Sequence, residues 1–337
     1  MTESQTPILT VIVLNYNGAV FLPRCFQSLR DQTLRNFQIL LVDNNSTDES
    51  IELTKRDFPE IDILQFDENF GYAEANNRAA TLTPATYLCF LNNDTHLDPQ
   101  ALKILVSTAD TQPGTPIMSP QLRSYDGALP LGFGMGVDVL GFPATGVPHE
   151  DNIFYADGAC LFIRRDVFDA LGGFDPSYYM FFEEIDLCWR AWLHGYRVGV
   201  VPRAVVFHKA GGTIGSSLVE GERLATSKRK RRMTHRNQLA TILKNYATPT
   251  LFAILPIFAV VTAGEIILLI ATGQRLVVTQ AYVPAWRDLF RNRAHILARR
   301  RALQASRTVG DGAILRRMLW RVAVVSQFLR TGVPVIK

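Results

Sequence analysis

Tyr87-Leu88-Cys89-Phe90-Leu91-Asn92-Asn93-Asp94-Thr95-His96-Leu97-Asp98 reads as an apolar strand that stops abruptly in three polar residues. In an open α/β sheet the ligand crevice lies outside the carboxyl ends of the strands, where an oxygen donor such as Asp94 can hold a divalent metal against a phosphate. Taken alone, an Asn-Asn-Asp turn with Pro99 behind it is also an ordinary strand-to-helix loop. The segments upstream separate the two readings. Ile8 to Leu14 is a nearly continuous apolar, β-branched run, the pattern of a strand buried on both faces in a parallel sheet. Asn15-Tyr16-Asn17-Gly18 breaks it before an amphipathic helix over about Ala19–Asp31. A second strand, Gln38–Val42, ends in Asp43-Asn44-Asn45-Ser46-Thr47-Asp48, and Ser46 with Glu49 resembles a capping box opening a helix over Glu49–Asp57. A third, Ile61–Phe66, leads through Asn69-Phe70-Gly71-Tyr72 to a helix over Ala73–Thr81, and Thr86–Leu91 is the fourth. Four strand-helix alternations predict a right-handed, doubly wound and mostly parallel sheet. No GxGxxG follows the first strand, so a dinucleotide-binding fold has no support.

Tyr16, Asp43, Asn69 with Gly71, and Asp94 all follow strand ends and so share one rim. An aromatic ring and a carboxylate at the first two ends can stack on and hydrogen-bond to a base, while a metal at the fourth holds a diphosphate. Each residue alone is equally explained by turn chemistry. The four coincidences together favour a site.

Length and composition bound the rest. With 337 residues, 47% hydrophobic and 20% charged, the chain is no disordered protein and has room for one large domain plus an appendage. Cys25, Cys89, Cys160 and Cys188 are widely spaced in apolar patterns with no CxxC, as expected of reduced core residues. Met1–Pro7 is polar, so no secretory leader is expected. Residues 1–222 hold 14 Lys and Arg against 28 Asp and Glu, and residues 223–337 hold 21 against 3, so charges of −14 and +18 make up the net +4. That asymmetry points to an anionic partner for the second part, either nucleic acid or the cytoplasmic leaflet. With no helix-turn-helix or RNA-binding motif, nucleic acid is disfavoured.

Between the fourth strand and the basic part, Pro113–Pro148 reads as irregular loops on the acceptor side. Asp157-Gly158-Ala159 enters a strand, with a helix starting at Asp166. An aromatic run, Tyr178–Phe182, then leads to Glu183-Glu184-Ile185-Asp186, three carboxylates at a helix start. The helix dipole favours them there; alternatively, crowding beside aromatic walls raises one toward the range of a general base. Two short strands, Arg197–Val201 and Ala204–Phe207, end at His208, followed by Lys209-Ala210-Gly211-Gly212-Thr213, a flexible loop able to close over a phosphate.

Taken together, VIVLNYNG (Val11–Gly18), LVDNNSTDES (Leu41–Ser50), NFGYAEAN (Asn69–Asn76), LNND (Leu91–Asp94), Gly158–Asp175 with its GGFDP, and FEEIDLCWR (Phe182–Arg190) resemble the family 2 inverting glycosyltransferases of GT-A fold, within them the bacterial rhamnosyltransferase-like members. The matches run in family order over about residues 7–215. The resemblance implies that Tyr16 and Asp43 contact the nucleobase, with Asn69, Gly71 and Asn76 near the nucleotide. Asn93 and Asp94 take the DxD-like position, Asp94 binding Mg²⁺ or Mn²⁺ with His208 completing the metal site. Asp157, Gly158 and Glu183 shape the acceptor side. The catalytic base is Glu184 or Asp186. Asn92 and Asn93 depart from a full DxD, so the metal leans on Asp94, His208 and the diphosphate. Glu184 stands where the family usually has Asp.

Residues 223–337 form the expected membrane-association region. Arg223–Lys244 carries eight Lys and Arg and no acid, and Thr250–Thr272 is apolar but for Glu265, long enough to cross a bilayer. Pro256, Gly264 and Glu265, with basic segments on both sides, favour a hairpin or in-plane helix over a single span. The remaining reading is a core helix with solvated basic flanks. The function expected is transfer of rhamnose or a related sugar from a dTDP- or UDP-sugar to a polyprenyl-diphosphate-linked saccharide. The place expected is the cytoplasmic face of the inner membrane, as a peripheral or monotopic protein, and a homo-oligomer is compatible with the sequence. A processive polysaccharide synthase is the alternative enzyme, disfavoured because no QxxRW motif or channel-forming helices follow. A non-catalytic nucleotide-sugar-binding scaffold is the alternative outside enzymes.

Overall fold

The computed structural model describes residues 6–128, 135–145, 153–209, 218–220, 223–326 and 335–336. The chain divides into two compact units, one of Met1–Met135, Thr145–Ala191 and Tyr196–Thr213, the other of Gly136–Ala144, Trp192–Gly195 and Ile214–Lys337.

The first unit is built on β1 (Leu9–Asn15), α1 (Leu22–Arg30), β2 (Phe37–Asp43), α2 (Ser50–Asp57), β3 (Asp62–Gln65), α3 (Gly71–Thr81), β4 (Tyr87–Asn92), β5 (Thr95–Leu97), α4 (Ala101–Thr111) and β6 (Ile117–Ser124). Two short strands that pair with each other, β7 (Met135–Val137) and β8 (Pro143–Thr145), belong mostly to the second unit. β9 (Cys160–Arg164), α5 (Arg165–Ala170), α6 (Glu183–Leu193) and β10 (Val198–His208) follow. Eight strands make one sheet in the order β3-β2-β1-β4-β9-β6-β10-β5. The first four are parallel, as their apolar runs predict, whereas β9 is antiparallel to both β4 and β6. Val11, Val13, Leu41, Cys89 and Leu91 pack against Leu22, Phe26 and Leu29 of α1 and Leu102 and Leu105 of α4, all nearly inaccessible. On the other face Phe90 meets Phe168 and Phe174 edge-on or tilted, and Tyr72 of α3 meets Phe174. Each such ring buried removes enough apolar surface to contribute about 2–3 kcal/mol.

Register fixes the rim. Asn15 pairs with Asp43, Leu14 with Asn92, and Asp43 with Gln65, so the polar residues that end these strands lie at one level.

Four local expectations are corrected. Pro113–Pro148 is not all loop: β6 lies inside the sheet between β9 and β10. Pro120 disguises it, because proline cannot donate to a ladder. The pairing tolerates it at an irregularity, where the register of β10 slips between Val201 and Val205. The two short strands expected around that slip are therefore one strand, Val198–His208. The capping box does not form: Ser46 Oγ accepts from Asn15 Nδ2 and from the Asn17 N–H, and Asp48 serves the Ser50 N–H instead. Of the hairpin or in-plane helix expected for Thr250–Thr272, the hairpin is not formed: the segment as far as Ala271 lies in one continuous helix, Thr248–Ala271.

The second unit carries β11 (Leu218–Glu220) and β12 (Arg223–Thr226), which form a small sheet with β13 (Val335–Ile336), and helices α7 (Lys228–Asn245), α8 (Thr248–Ala271), α9 (Arg275–Val277), α10 (Val283–Arg291), α11 (Arg293–Ser306) and α12 (Asp311–Leu315). α8 runs 24 residues with Pro256 inside it. Leu251, Ile254, Phe258, Thr262, Glu265 and Leu269 form its buried stripe, at the three-and-four spacing of one helix face. Glu265 on that stripe is paired with Arg231 of α7, whose guanidinium also donates to the Tyr282 hydroxyl. Phe252, Val260 and Ile267, elsewhere on α8, are 78%, 72% and 65% exposed.

Candidate active site

The rim begins as a network of asparagines. Asn15 donates to Asp43 Oδ1 (3.1 Å) and accepts from Asn93 Nδ2 (2.6 Å). A Cβ on Gly18 would stand 1.9 Å from Asn93 Nδ2 and 2.4 Å from Asn15 Oδ1, so only glycine lets the β1 loop lie this close. Asn44 Nδ2 donates to Asn69 Oδ1 (3.0 Å) and to the Gly71 carbonyl (3.1 Å), and its Oδ1 accepts from the Phe70 N–H. Gly71 sits at φ +74°, with the Tyr179 carbonyl 2.4 Å from where its Cβ would be. Tyr16 leaves this network and is exposed.

Asp43 departs from its expected place. Its carboxylate is fully buried, with Oδ1 taken by Asn15 and Oδ2 by the Ser46 N–H, so it braces the ends of β1 and β2 rather than presenting an oxygen at the surface. Asn76 is likewise buried within α3, its Nδ2 on the Tyr72 carbonyl and its Oδ1 without a partner. Neither offers a surface to a nucleotide in this arrangement.

Asp94 and His208 come together through strand pairing. β5 follows Asp94 directly and runs antiparallel to β10, matching Thr95 with His208, and the Lys209 N–H donates to the Asp94 carbonyl. His208 Nε2 lies 3.2 Å from Asp94 Oδ1, both side chains largely buried. Burial alone would lower the imidazole pKa, but Asp94, with Asp157 further off, outweighs it and raises the pKa. Among the described residues no group of three or more His, Cys, Asp or Glu side chains gathers to hold a metal. The Asp94 carboxylate fits a divalent ion whose other positions come from a diphosphate and water, as is usual for Mg²⁺ at phosphates, and a neutral His208 imidazole offers one nitrogen donor more. Ala210–Thr213, the rest of the expected loop, lies outside the described residues.

Across the rim, α6 opens with Glu183 and Glu184. The approach to it is strained: Tyr179, Phe181 and Phe182 have φ of +61°, +68° and +75°, a region non-glycine residues seldom occupy. Glu184 Oε2 and Glu183 Oε2 are both buried without a hydrogen-bond partner. Burial, with the charge of Asp157, outweighs backbone N–H donors and pushes Glu184 up to about 7. Burial, then the neighbouring Glu184, raises Glu183 well above the usual carboxylate range. A carboxyl poised near 7 is suited to accept a proton from a hydroxyl at physiological pH. Beside it, Tyr72 donates through its hydroxyl to the Gly158 carbonyl (3.0 Å), and a Cβ on Gly158 would lie 4.0 Å from Glu184 Cδ. The Asp157 side chain caps its own turn by accepting from the Ala159 N–H.

Asp186, the alternative base, is otherwise engaged. It is fully buried, takes Arg190 Nε at 2.8 Å and the Tyr178 hydroxyl at 3.3 Å, and Arg190 continues to the Leu171 and Gly173 carbonyls. This is an anchor for α6, not a free proton acceptor.

Asn15, Asn44, Tyr72, Tyr155 and Tyr179 belong to the site without having been singled out in the sequence. The signal for the asparagines was visible, since each ends or follows an apolar run. Tyr72 and Tyr179 lie far from their partners in sequence, 86 residues from Gly158 and 110 from Asn69, and buried Tyr155 feels Glu184 only through the fold.

Comparison with known proteins agrees with this arrangement. Residues 10–172 match the family described as Glycosyl transferase family 2. The chain is 29% identical to N-acetylglucosaminyl-diphospho-decaprenol L-rhamnosyltransferase of Mycobacterium tuberculosis, a likeness covering 62% of this chain and 78% of that protein. It is 31% identical to the O-antigen biosynthesis protein RfbC of Myxococcus xanthus, over 60% of this chain and 17% of that protein. In fold it is similar to GalNAc-T7, crystallised with UDP, GalNAc and Mn²⁺, with a TM-score of 0.59 at 17% identity over 74% of this chain and 49% of that one. It is also similar to S. aureus TarS 1–349 in complex with UDP-GlcNAc, with a TM-score of 0.51 at 17% identity over 70% and 67%. The family matched over residues 10–172, the mostly parallel sheet with its rim of polar strand ends and these likenesses together identify a family 2 glycosyltransferase domain of GT-A fold within the chain.

Proposed function

We propose that the chain is a metal-dependent, inverting glycosyltransferase that moves rhamnose or a related sugar from a dTDP- or UDP-sugar to a hydroxyl of a polyprenyl-diphosphate-linked saccharide. The observation that carries this reading is geometric: Asp94, paired with His208 at 3.2 Å, follows the end of β4, and Glu184, with a buried and unpartnered carboxyl oxygen, opens α6. The first pair suits a diphosphate-bound cation and the second a proton acceptor. The lipid-linked acceptor is supported by the mycobacterial relative, an N-acetylglucosaminyl-diphospho-decaprenol L-rhamnosyltransferase.

In this mechanism Tyr16 stacks on the base and the asparagine network around Asn69, Gly71 and Asn93 shapes the donor side. Asp94 and His208 would hold Mg²⁺ or Mn²⁺, which would supply positive charge to offset that of the diphosphate leaving group. Gly158 and Asp157, with Glu183, border the acceptor. Glu184 takes the proton of the acceptor hydroxyl as its oxygen bonds to the anomeric carbon and the bond to the diphosphate breaks. One displacement with one carboxylate inverts the anomeric configuration, whereas retention by double displacement needs a carboxylate nucleophile as well.

Residues 223–337 serve in this reading to hold the enzyme on the anionic cytoplasmic leaflet. Support comes from the exposed apolar side chains of α8 beside the cationic α7, with Glu265 turned inward onto Arg231. A helix tied by its buried carboxylate to a basic neighbour suits an in-plane position better than a crossing. Product analysis tests the chemistry. The anomeric configuration of the transferred sugar, read by NMR, should be opposite to that in the donor; retention would refute the single displacement.

A further inference from the structure

We propose that Tyr179 is a positioning residue that ties the donor-side asparagines to the Glu183–Glu184 carboxyls, so that rim and base are set as one piece; the inference rests on Glu184 being the base.

Tyr179 grips two elements at once. Its hydroxyl donates to Asn69 Oδ1 at 3.0 Å, the same oxygen that accepts from Asn44 Nδ2 and the Gly71 N–H. Its carbonyl accepts from the Tyr72 and Ala73 N–H groups at 2.6 and 3.3 Å, two of the unpaired donors of the first turn of α3. The fit depends on Gly71, where any side chain would strike that carbonyl.

The residues beyond Tyr179 need such a grip. No glycine lies between Phe174 and Gly195, yet Tyr179, Phe181 and Phe182 all take left-handed backbone angles. Conformations of that kind persist only where the surroundings over-determine them. The far end of the segment is held equally hard, by Asp186 on Arg190 and Arg190 on the Leu171 and Gly173 carbonyls. Glu183 and Glu184 are the residues strung between these two clamps. The α3 turn that Tyr179 caps also carries Tyr72, whose hydroxyl fixes the Gly158 carbonyl beside Glu184. Both the helix bearing the base and the backbone facing it therefore take their place from one residue.

Tyr179→Phe deletes the hydroxyl alone, and Tyr179→Gly deletes the side chain while accepting the same φ without strain. Two readouts are compared with the wild type. The first is the titration midpoint of the Glu184 carboxyl, followed by NMR on glutamate labelled at the carboxyl carbon and assigned with Glu184→Gln. The second is kcat set against the donor KM. In both variants the midpoint should fall toward the ordinary glutamate range as the loosened carboxyl meets water, and kcat should drop roughly fivefold to tenfold, the equivalent of one hydrogen bond. Tyr179→Gly should melt no lower than Tyr179→Phe. An unmoved midpoint in both variants overturns the proposal, even if melting temperatures fall, because that is the signature of a merely structural tyrosine. The midpoint is read without turnover, so a wild type that transfers no sugar counts against the glycosyl-transfer reading while the titration still decides the role of Tyr179.

Discussion

Replacing Glu184 by Gln should make the protein more stable at neutral pH and depress transfer at every pH. Gln keeps the shape of the neutral carboxyl but cannot ionise. The fold raises Glu184 from its ordinary 4.5 to about 7, so the folded state prefers the protonated form. Stability from this group is complete below about 4.5 and is lost as the pH climbs to about 7, after which the loss is constant. At full value the shift corresponds to roughly 3 kcal/mol, and water reaching the half-buried side chain reduces it to about 1–3 kcal/mol. For a unit of this size that is about 3–10 °C in melting temperature. Thermal melts of both proteins from pH 4.5 to 8.5 measure it: the curves should meet at the acid end and separate with the Gln variant higher above pH 7. Transfer should fall by about 10²–10⁴ if Glu184 is the base. A Gln variant that is less stable at pH 8 than the wild type, or that turns over near the wild-type rate, refutes the reasoning.

The other predictions concern separate parts of the molecule. Asp94→Ala and His208→Ala should each weaken Mn²⁺ binding by roughly tenfold or more and depress transfer, measured by metal titration; unchanged affinity in Asp94→Ala removes it from the metal site. Gly18→Ala must displace Asn93 or Asn15, so it should lower stability by about 1–3 kcal/mol in denaturant titration; a neutral change would mean the rim is not packed as described. Arg190→Met leaves Asp186 buried without its cation and should cost about 3–5 kcal/mol, read by the same titration, whereas a stable variant would reopen Asp186 as a candidate base. Phe252→Asp with Val260→Asp should reduce sedimentation with vesicles containing anionic lipid severalfold while the protein stays folded; undiminished sedimentation counts against α8 as the membrane-facing helix.

What the sequence made legible followed from periodicity. Ile8–Leu14 and Thr86–Leu91 are apolar but for Thr10 and Thr86 because the parallel strands they form are covered on both faces, and the rim could be located because each strand ends in polar residues. β6 was hidden by Pro120, which is tolerable only because β10 slips its register opposite it. Asp43 and Asp186 could be recognised as carboxylates at the right level of the fold, but their direction could not be read. Asn15 and Ser46 draw the first inward, and Arg190 claims the second. What sets Glu184 apart from Asp186 as a proton acceptor is its surroundings, and those come from Gly158, Asp157 and Tyr72, which are 26 residues or more away. In α8 the apolar composition was plain, whereas the inward placement of Glu265 depended on Arg231, 34 residues earlier.

The most direct test of the account is release of nucleoside diphosphate from a panel of dTDP- and UDP-sugars, with and without polyprenyl-diphosphate-linked GlcNAc, and with and without EDTA. The account predicts release from one donor that depends on the acceptor, stops with EDTA and returns with Mg²⁺ or Mn²⁺. Release that ignores the acceptor or survives EDTA, or no release from any donor, would contradict it.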